Sequence, residues 1–350
     1  MPLPPLIGHE GVKTRLAGAH ASGKLPQALL LAGPRGVGKQ RLALWLAQLI
    51  QCEAPDPQEP CGECRPCRMV LSLQHPDVHW FVPVELSKRG GSGGVDADKQ
   101  VDLVAEALAE EMAARREQPL YAPVVGLASH PVAAVRLLLR RLALTPAMGN
   151  RKVFIVGDAE RLIPQLGTEV AANALLKALE EPPADSVIII TAADPGALLP
   201  TVLSRVVLVR VARIADSAVT AFAQQTLGIR GKDELAQRVN AAEGCIGKLF
   251  AIEGPRSGQA DQADRFLNTP WLFALGQVPF QARGGFTDML DALADKLRSE
   301  ATRGGDTEKL VEAIALVMDA RDLAQGNVNP QLLAAVLAED LRGMGETPRS

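Results

Sequence analysis

Short apolar runs alternate with amphipathic segments over roughly the first 210 residues of the chain. Five of the runs have the length of buried strands, and they occupy residues 28–32, 78–82, 152–157, 187–190 and 206–211. Segments with helical spacing of their apolar positions lie beside them, at residues 41–49, 96–117, 132–144 and 168–181. Strands that alternate with helices predict a parallel five-stranded sheet with helices on both faces.

Beyond residue 211 the strand signal fades and the pattern becomes helical. Residues 219–250 and 273–341 have helical spacing, and the polar stretch 254–264 lies between them. We therefore predict an α/β domain at residues 1–211, followed by two all-helical domains at residues 212–260 and 261–350.

The segment Gly-Pro-Arg-Gly-Val-Gly-Lys-Gln, residues 33–40, lies between the first predicted strand and the helix after it. This order is typical of a phosphate-binding P-loop, whereas an ordinary glycine-rich turn needs no such neighbours. Gly33, Gly36 and Gly38 would let backbone N–H groups turn toward phosphate oxygens. Lys39 would reach the outer phosphates, but Gln40 replaces the Ser or Thr that ligates magnesium. We expect a loop that can hold ATP or ADP and is poorly equipped to hydrolyse it.

A second nucleotide-site element is predicted where the third apolar run ends. Asp158 follows that run, where an acid would face the metal. The next position should carry a glutamate that orients the attacking water, and it is Ala159. Glu160 is displaced by one position and is expected to point elsewhere. Many strands end in an acid, so Asp158 alone is weak evidence for a nucleotide site. Taken together with Gln40, this element indicates that two functions needed for hydrolysis are missing.

Composition and net charge exclude some classes of protein function. The chain has 350 residues, of which 47% are hydrophobic and 22% are charged, so it is globular and long enough for two or three domains. Its net charge of −3 disfavours a protein whose main task is to clasp nucleic acid. Neither a signal-peptide pattern nor an apolar stretch long enough to span a bilayer is present, so we expect a cytoplasmic protein with no membrane partner.

Four of the five cysteines lie close together in the sequence: Cys52, Cys61, Cys64 and Cys67. Their spacing, C-x8-C-x2-C-x2-C, supplies four thiolates that can close a tetrahedral shell around zinc. A closed shell leaves no position for water, so the predicted role is structural. Uncoordinated thiols, or ligation by His75 or His79, are the alternatives. The fifth cysteine, Cys245, is interpreted as a small apolar side chain.

Three features together resemble the bacterial clamp-loader branch of the AAA+ family. They are the cysteine spacing, the sequence Asn-Ala-Leu-Leu-Lys-Ala-Leu-Glu-Glu-Pro-Pro at residues 173–183, and Leu203-Ser204-Arg205. The likeness covers nearly the whole chain, and segments 7–10, 75–77 and 327–333 also fit it. Residues 86–128, a glycine-rich stretch and its helix, fall outside the family pattern. The resemblance implies an AAA+ core, a helical lid and a helical collar that joins subunits into a ring.

The resemblance also implies roles for particular residues. Ser204-Arg205 matches the family's Ser-Arg-Cys motif, with Val206 in place of the cysteine, and its arginine would reach into a neighbouring subunit's ATP site. A guanidinium there would offset charge that develops on the γ-phosphate. Lys248 lies near the lid's sensor position without a clear match.

The sensor hydroxyl of the core is also expected to be missing. Ala192 and Ala193 occupy the positions where the family resemblance places it. This is a third departure from an active motor, besides Gln40 and Ala159.

The resemblance and the degraded positions lead to one hypothesis and two rivals. The hypothesis is a non-hydrolysing stator of a clamp loader, a subunit of the replicative DNA polymerase complex without activity of its own. Its partners would be ATP-hydrolysing gamma or tau subunits and a delta subunit in a hetero-pentamer that loads the sliding clamp onto primed DNA. One rival is an active gamma/tau-type ATPase that uses Gln40 and Glu160 unconventionally. The other is a zinc-dependent nucleic-acid module, which the acidic balance disfavours.

Overall fold

The computed structural model of the protein describes residues 3–4, 6–56, 59–84, 97–119, 128–162, 170–251, 257–269, 272–273, 275, 285–302, 307–324 and 329–343. The chain divides into two compact units, with the boundary between Phe250 and Ala251.

The first unit is built on a five-stranded sheet with the order β2-β3-β4-β1-β5. The strands are β1 (Ala28–Ala32), β2 (Val78–Phe81), β3 (Lys152–Val156), β4 (Ser186–Ala192) and β5 (Val207–Arg210). All four neighbouring pairs are parallel. Every residue of β1, β3 and β4 is buried, so the sheet is covered on both faces there. The predicted parallel five-stranded sheet is confirmed.

In the described residues, seven helices lie before or between these strands. They are α1 (Glu10–Ala21), α2 (Lys39–Gln51), α3 (Arg65–Leu71), α4 (Ala97–Glu117), α5 (Val132–Leu142), α6 (Val170–Glu180) and α7 (Pro200–Leu203). Helix α4 belongs to the segment outside the family pattern, and it packs against α5. Its buried residues Val101, Val104 and Leu108 join the core of the sheet. The inserted helix is therefore part of the folded domain. The glycine-rich stretch before it lies outside the described residues.

Residue Asp77 organises the turn that leads into β3. Its carboxylate accepts hydrogen bonds from the backbone N–H groups of Ala147 (2.6 Å), Met148 (2.8 Å) and Gly149 (2.7 Å). Burial alone would raise the pKa of this carboxyl, but the three donors outweigh burial and leave the pKa below its usual value. Within segment 75–77, Asp77 therefore has a structural role.

Three further helices complete the first unit: α8 (Asp216–Gln225), α9 (Lys232–Ala242) and α10 (Ile246–Ala251). They enclose a hydrophobic core of their own, in which Val219, Phe222 and Leu249 are buried. The rings of Phe222 and Phe250 meet edge to face, with centroids 6.0 Å apart. This core begins at Ile214, just beyond the boundary predicted near residue 211.

The second unit is helical in its described residues. Its helices include α11 (Ser257–Asn268), α12 (Gly285–Thr302), α13 (Thr307–Ala324) and α14 (Pro330–Gly343). Phe266, Leu290, Val317 and Leu337 are among the residues that form its core. None of the helices in the described ranges of the chain combines the length and apolarity needed to cross a bilayer.

The interpretation of residues 254–264 as a polar separator is wrong over much of its length. Helix α11 starts at Ser257 and continues through the boundary predicted at residue 260. Ala263 and Phe266 of this helix are buried, while Arg265, Leu267 and Asn268 are exposed. The polar character there belongs to a helix that buries one side, and a short polar stretch does not distinguish such a helix from a linker.

Candidate functional site

The P-loop residues connect the end of β1 to the start of α2. Gly36 (φ 78°) and Gly38 (φ 106°) have left-handed backbones, and Gly38 is the N-cap of α2. A Cβ on Gly33 would lie 2.2 Å from the carbonyl oxygen of Val211. All three glycines are therefore required by the backbone itself, and the loop has the strand–loop–helix context of a phosphate site.

Lys39 is held by its own loop. The side chain is buried, and Nζ donates hydrogen bonds to the carbonyl oxygens of Gly33 (2.7 Å) and Pro34 (2.9 Å). Burial lowers the pKa of Lys39, and the nearby carboxylates of Asp158 and Glu160 partly offset that effect. A bound phosphate would have to replace these two carbonyl contacts.

Gln40 and Asp158 are brought together although they lie far apart in the sequence. The amide Nε2 of Gln40 donates a hydrogen bond of 3.1 Å to Oδ2 of Asp158. Gln40 Oε1 is buried and has no hydrogen-bond partner among the described residues. The two positions that would ligate magnesium in a hydrolytic site are thus occupied by an amide and a carboxylate bonded to each other.

Glu160 does not occupy the position of a water-orienting glutamate. It lies in the 3-10 turn Ala159–Leu162, and its two carboxylate oxygens are 3.2 and 3.3 Å from the backbone nitrogen of Ala193. Burial, followed by the neighbouring charge of Asp158, raises the pKa of Glu160. Ala159, which stands at the expected glutamate position, is fully buried.

Sequence reasoning missed Thr191, one position before the expected sensor hydroxyl. Its Oγ1 accepts a hydrogen bond of 3.0 Å from the backbone N–H of Asp158, whose backbone is left-handed (φ 51°). The signal was available, because Thr191 is a polar residue inside the buried strand β4. A hydroxyl is therefore present at this strand end, and it supports the backbone of Asp158.

The helices that follow the sheet contact the P-loop directly. The backbone N–H of Gly247 donates to the carbonyl oxygen of Gly36 at 2.8 Å. Cys245 is fully buried and joins the core of the sheet, as expected for a small apolar side chain. Lys248 Nζ bonds to Glu243 at 2.7 Å, so its ammonium is engaged beside the loop by a residue of its own segment. On the other side of the loop, His9 Nε2 donates to the carbonyl of Val37 at 2.9 Å.

Gly247→Ala is expected to loosen this contact. The added Cβ would lie 2.6 Å from Cα of Gly36, so one backbone must move. Overpacking of this kind costs about 1–3 kcal/mol of unfolding free energy, which urea denaturation measures. The control is Gly18→Ala in α1, where a Cβ meets nothing within 4 Å. Equal stability of the two variants would contradict a close contact at Gly247.

The four clustered cysteines meet in space. Their sulfur atoms all lie within 4.8 Å of one another, and those of Cys61 and Cys67 are 3.9 Å apart. Sulfurs that bind one zinc tetrahedrally at about 2.3 Å are about 3.8 Å apart, so this donor set fits the ion. Backbone N–H groups of Cys64 and Glu63 lower the pKa of Cys61 to about 6, whereas burial raises the pKa values of Cys52 and Cys67, so the support for a metal comes from the geometry of the four sulfurs.

The histidines lie outside the four-sulfur group. His75 is buried, and its Nδ1 accepts from the backbone N–H of Asp77 at 3.1 Å. His79 packs against the ring of Phe154, with centroids 4.9 Å apart. Among the described residues, the group that can hold a metal contains only cysteines.

Glu59 ties the cysteine loop to the sheet domain, which sequence reasoning did not anticipate. Its carboxylate accepts from Lys13 Nζ of α1 and from Trp45 Nε1 of α2, both at 2.6 Å. Cys67, in α3, is fully buried. The cysteine loop is therefore packed onto the first two helices. Disordering this loop is expected to destabilise the P-loop domain.

Arg205 is the second residue after α7 and is partly exposed. Its Nε and Nη2 donate to Oε1 of Glu180 at 2.9 and 2.5 Å, and its Nη1 donates to the carbonyl of Thr201 (2.8 Å) and to Oγ of Ser204 (3.1 Å). The side chain keeps 31% of its surface exposed. Arg205 was identified from the sequence as a candidate site residue. Its partner Glu180 was not, because the two residues are 25 positions apart.

Related sequences were found by comparison with known proteins. The delta' subunit of DNA polymerase III from Pseudomonas aeruginosa is 33% identical over 181 residues, which are 51% of this chain and 41% of that protein. The delta' subunit from Haemophilus influenzae is 28% identical over 255 residues, 73% of this chain and 62% of that protein. The gamma/tau subunit from Mycobacterium tuberculosis is 26% identical over 396 aligned residues, 96% of this chain and 60% of that protein. In each case the chain spans less than two thirds of the relative's length.

Among solved structures, a gamma subunit-related protein of Thermotoga maritima matches with a TM-score of 0.43 and 16% identity, over 97% of this chain and 100% of that one. A family model described as DNA polymerase III, delta subunit, matches residues 8–215, which is more than half of the chain. The protein therefore belongs to the DNA polymerase III delta subunit family, in the clamp-loader branch of the AAA+ proteins.

Proposed function

We propose that the protein is the delta-prime subunit of a DNA polymerase III clamp loader and acts there as a non-hydrolysing stator. The observation that carries the proposal is the hydrogen bond from Gln40 to Asp158. It joins the two positions that a hydrolytic site needs for magnesium, and the adjacent Ala159 cannot orient a water molecule. The delta' relatives from several bacteria support the same assignment.

The proposed partners follow from these relatives. The chain would join gamma or tau subunits and a delta subunit in a hetero-pentamer, which loads the sliding clamp onto primed DNA in the cytoplasm. Contact with the clamp and with DNA would occur within that assembly. A three-domain division into AAA+ core, helical lid and helical collar is part of the proposal.

Arg205 would serve the ATP site of the neighbouring subunit in this assembly. Its partial exposure on the first unit supports that role, since a guanidinium must be accessible to act in trans. Zinc held by Cys52, Cys61, Cys64 and Cys67 would be structural, because four sulfurs close the shell. The P-loop glycines would still permit ATP or ADP to bind, with Lys39 released from its carbonyl contacts.

The purified chain is therefore expected to show no steady-state ATP hydrolysis above that of Asp158→Ala. Asp158 is the one acid retained from a hydrolytic site, so its loss should change nothing if that site is inactive. The measurement is phosphate release at saturating ATP, with nucleotide binding followed in parallel by a fluorescent analogue.

Rapid hydrolysis that Asp158→Ala abolishes would instead favour an active gamma/tau-type ATPase. The match to a gamma/tau subunit over 96% of this chain makes that alternative worth the test. Co-purification with gamma and delta subunits, with zinc quantified in the same sample, would test the assembly separately.

A further inference from the structure

The guanidinium of Arg205 is fixed by hydrogen bonds to residues that are themselves held in place by neighbouring elements. Its backbone N–H bonds to the carbonyl of Val202, which fixes the residue at the end of α7. Glu180 is the last residue of α6, and α6 packs against α7. Gln27, just before β1, donates to the carbonyl of Pro183 at 2.8 Å and so anchors the segment that follows α6. Arg205 is therefore fixed to α7, and Glu180 ends a helix whose following segment is bonded to Gln27 beside the sheet.

The hydrogen bonds of Arg205 divide the guanidinium into two parts. A guanidinium has five N–H donors, one on Nε and two on each Nη. Nε and one Nη2 hydrogen are directed to Glu180, and Nη1 serves Thr201 and Ser204. Within the described part of the chain, these four bonds leave one Nη2 hydrogen for another acceptor. A phosphate oxygen could take it without displacing Glu180.

The pair is poorly suited to a purely stabilising role. Glu180 keeps 48% of its side chain exposed and Arg205 keeps 31%. Exposed ion pairs contribute little to folding, because solvent screens them and two long side chains lose rotamer freedom. The same pair can matter much more for a reaction rate. Holding a planar group in one orientation speeds turnover, because a misplaced reacting group slows the reaction far more than it lowers stability.

We propose that Glu180 is a positioning residue for Arg205, which holds the Nε and Nη2 side of the guanidinium so that the remaining Nη2 hydrogen is presented to the neighbouring subunit's γ-phosphate. This inference rests on the proposed function, in which Arg205 acts in trans. Glu180 itself touches neither the nucleotide nor the reacting atoms.

The test uses the reconstituted complex with Glu180→Ala and Glu180→Gln. Glu180→Ala removes the acceptor, so the rate of ATP hydrolysis at the one site that Arg205 serves, followed in single turnover, should fall about tenfold, with nucleotide affinity changed less than about twofold. Glu180→Gln keeps an acceptor without the charge and should give a smaller loss. Glu181→Gln is the matched control: the same charge change at the adjacent exposed residue should leave that rate unaltered. Size-exclusion chromatography confirms that each variant is incorporated, and Glu180→Gln, which keeps the side-chain size, serves if Glu180→Ala is not.

A double-mutant cycle with Arg205→Ala separates positioning from general structure. If Glu180 acts through Arg205, then Glu180→Ala in the Arg205→Ala background should change the single-turnover rate less than about twofold. The same loss in both backgrounds, or full activity of both Glu180 variants in the wild-type background, would overturn the inference. If Arg205→Ala alone leaves this rate unchanged, the proposed function fails. If Arg205→Ala lowers this rate and the Glu180 variants do not, only the role of Glu180 fails.

Discussion

Arg205→Ala should lower ATP turnover at the neighbouring site of the assembled clamp loader by about tenfold or more, while the complex still forms. Arginine fingers in other nucleotide hydrolases contribute on the order of 10³–10⁵ in kcat, because the guanidinium offsets charge on the γ-phosphate as it is transferred. The other sites of a ring would keep their own arginines, so the loss in total turnover is smaller than the loss at one site. Single-turnover hydrolysis in the reconstituted complex measures the effect directly.

The matched control for Arg205 is Arg210→Ala. Arg210 is an exposed arginine at the end of β5, close in sequence and equal in charge. Its removal should leave turnover unaltered. If both arginine variants hydrolyse ATP like wild type, or if both lose turnover equally in the assembled complex, Arg205 has no finger role and the stator proposal loses its catalytic part.

Loss of the cysteine cluster should have the largest effect on stability. Cys61→Ser is expected to abolish stoichiometric zinc and to lower the free energy of unfolding of the first unit by about 3 kcal/mol, since structural zinc contributes directly to folding. For a unit of this size that corresponds to a melting temperature about 6 °C lower. The destabilisation should reach the P-loop domain because Glu59 joins the loop to α1 and α2. Zinc content per chain and thermal melting are the two measurements.

Cys245→Ala provides the control for this experiment. Cys245 is buried in the core of the sheet and lies outside the four-sulfur group, so this variant should keep its zinc. Its melting temperature should fall only by the effect of a small cavity. Wild-type protein that contains no zinc after purification in metal-replete medium, or Cys61→Ser that melts like wild type, would refute a structural metal.

The strands of the sheet could be predicted because burial on both faces leaves an unmistakable composition. Residues such as Ile188, Ile189 and Ile190 stand side by side in β4, and both faces of that strand are covered, so the run is apolar without alternation. The edge strand β5 is mostly exposed, and its extent was predicted about one residue too long at each end. The P-loop and the cysteine cluster could also be predicted from the sequence, since their residues are close together in it and their spacing follows from local geometry.

Contacts between distant residues could not be predicted in the same way. The bond between Gln40 and Asp158, the approach of Gly247 to Gly36 and the pairing of Glu180 with Arg205 all depend on how elements meet in three dimensions. Periodicity shows which side of a helix is buried but not which side chain it will face. The polar stretch within α11 was not recognised as part of a helix for a related reason. The buried side of that helix packs against residues from other helices of the second unit, which are distant in sequence.

If the protein is the proposed non-hydrolysing stator, the bond from Gln40 to Asp158 makes its inactivity hard to reverse by single substitutions. Replacing Gln40 with threonine would restore a metal ligand but would leave Asp158 without its amide donor and Ala159 without a carboxylate. Ala159 is fully buried, so a glutamate introduced there would enter a packed site and carry a desolvation cost of its own. On that proposal each step taken alone would be unfavourable, and hydrolysis would return only through coordinated changes on two sides of the pocket.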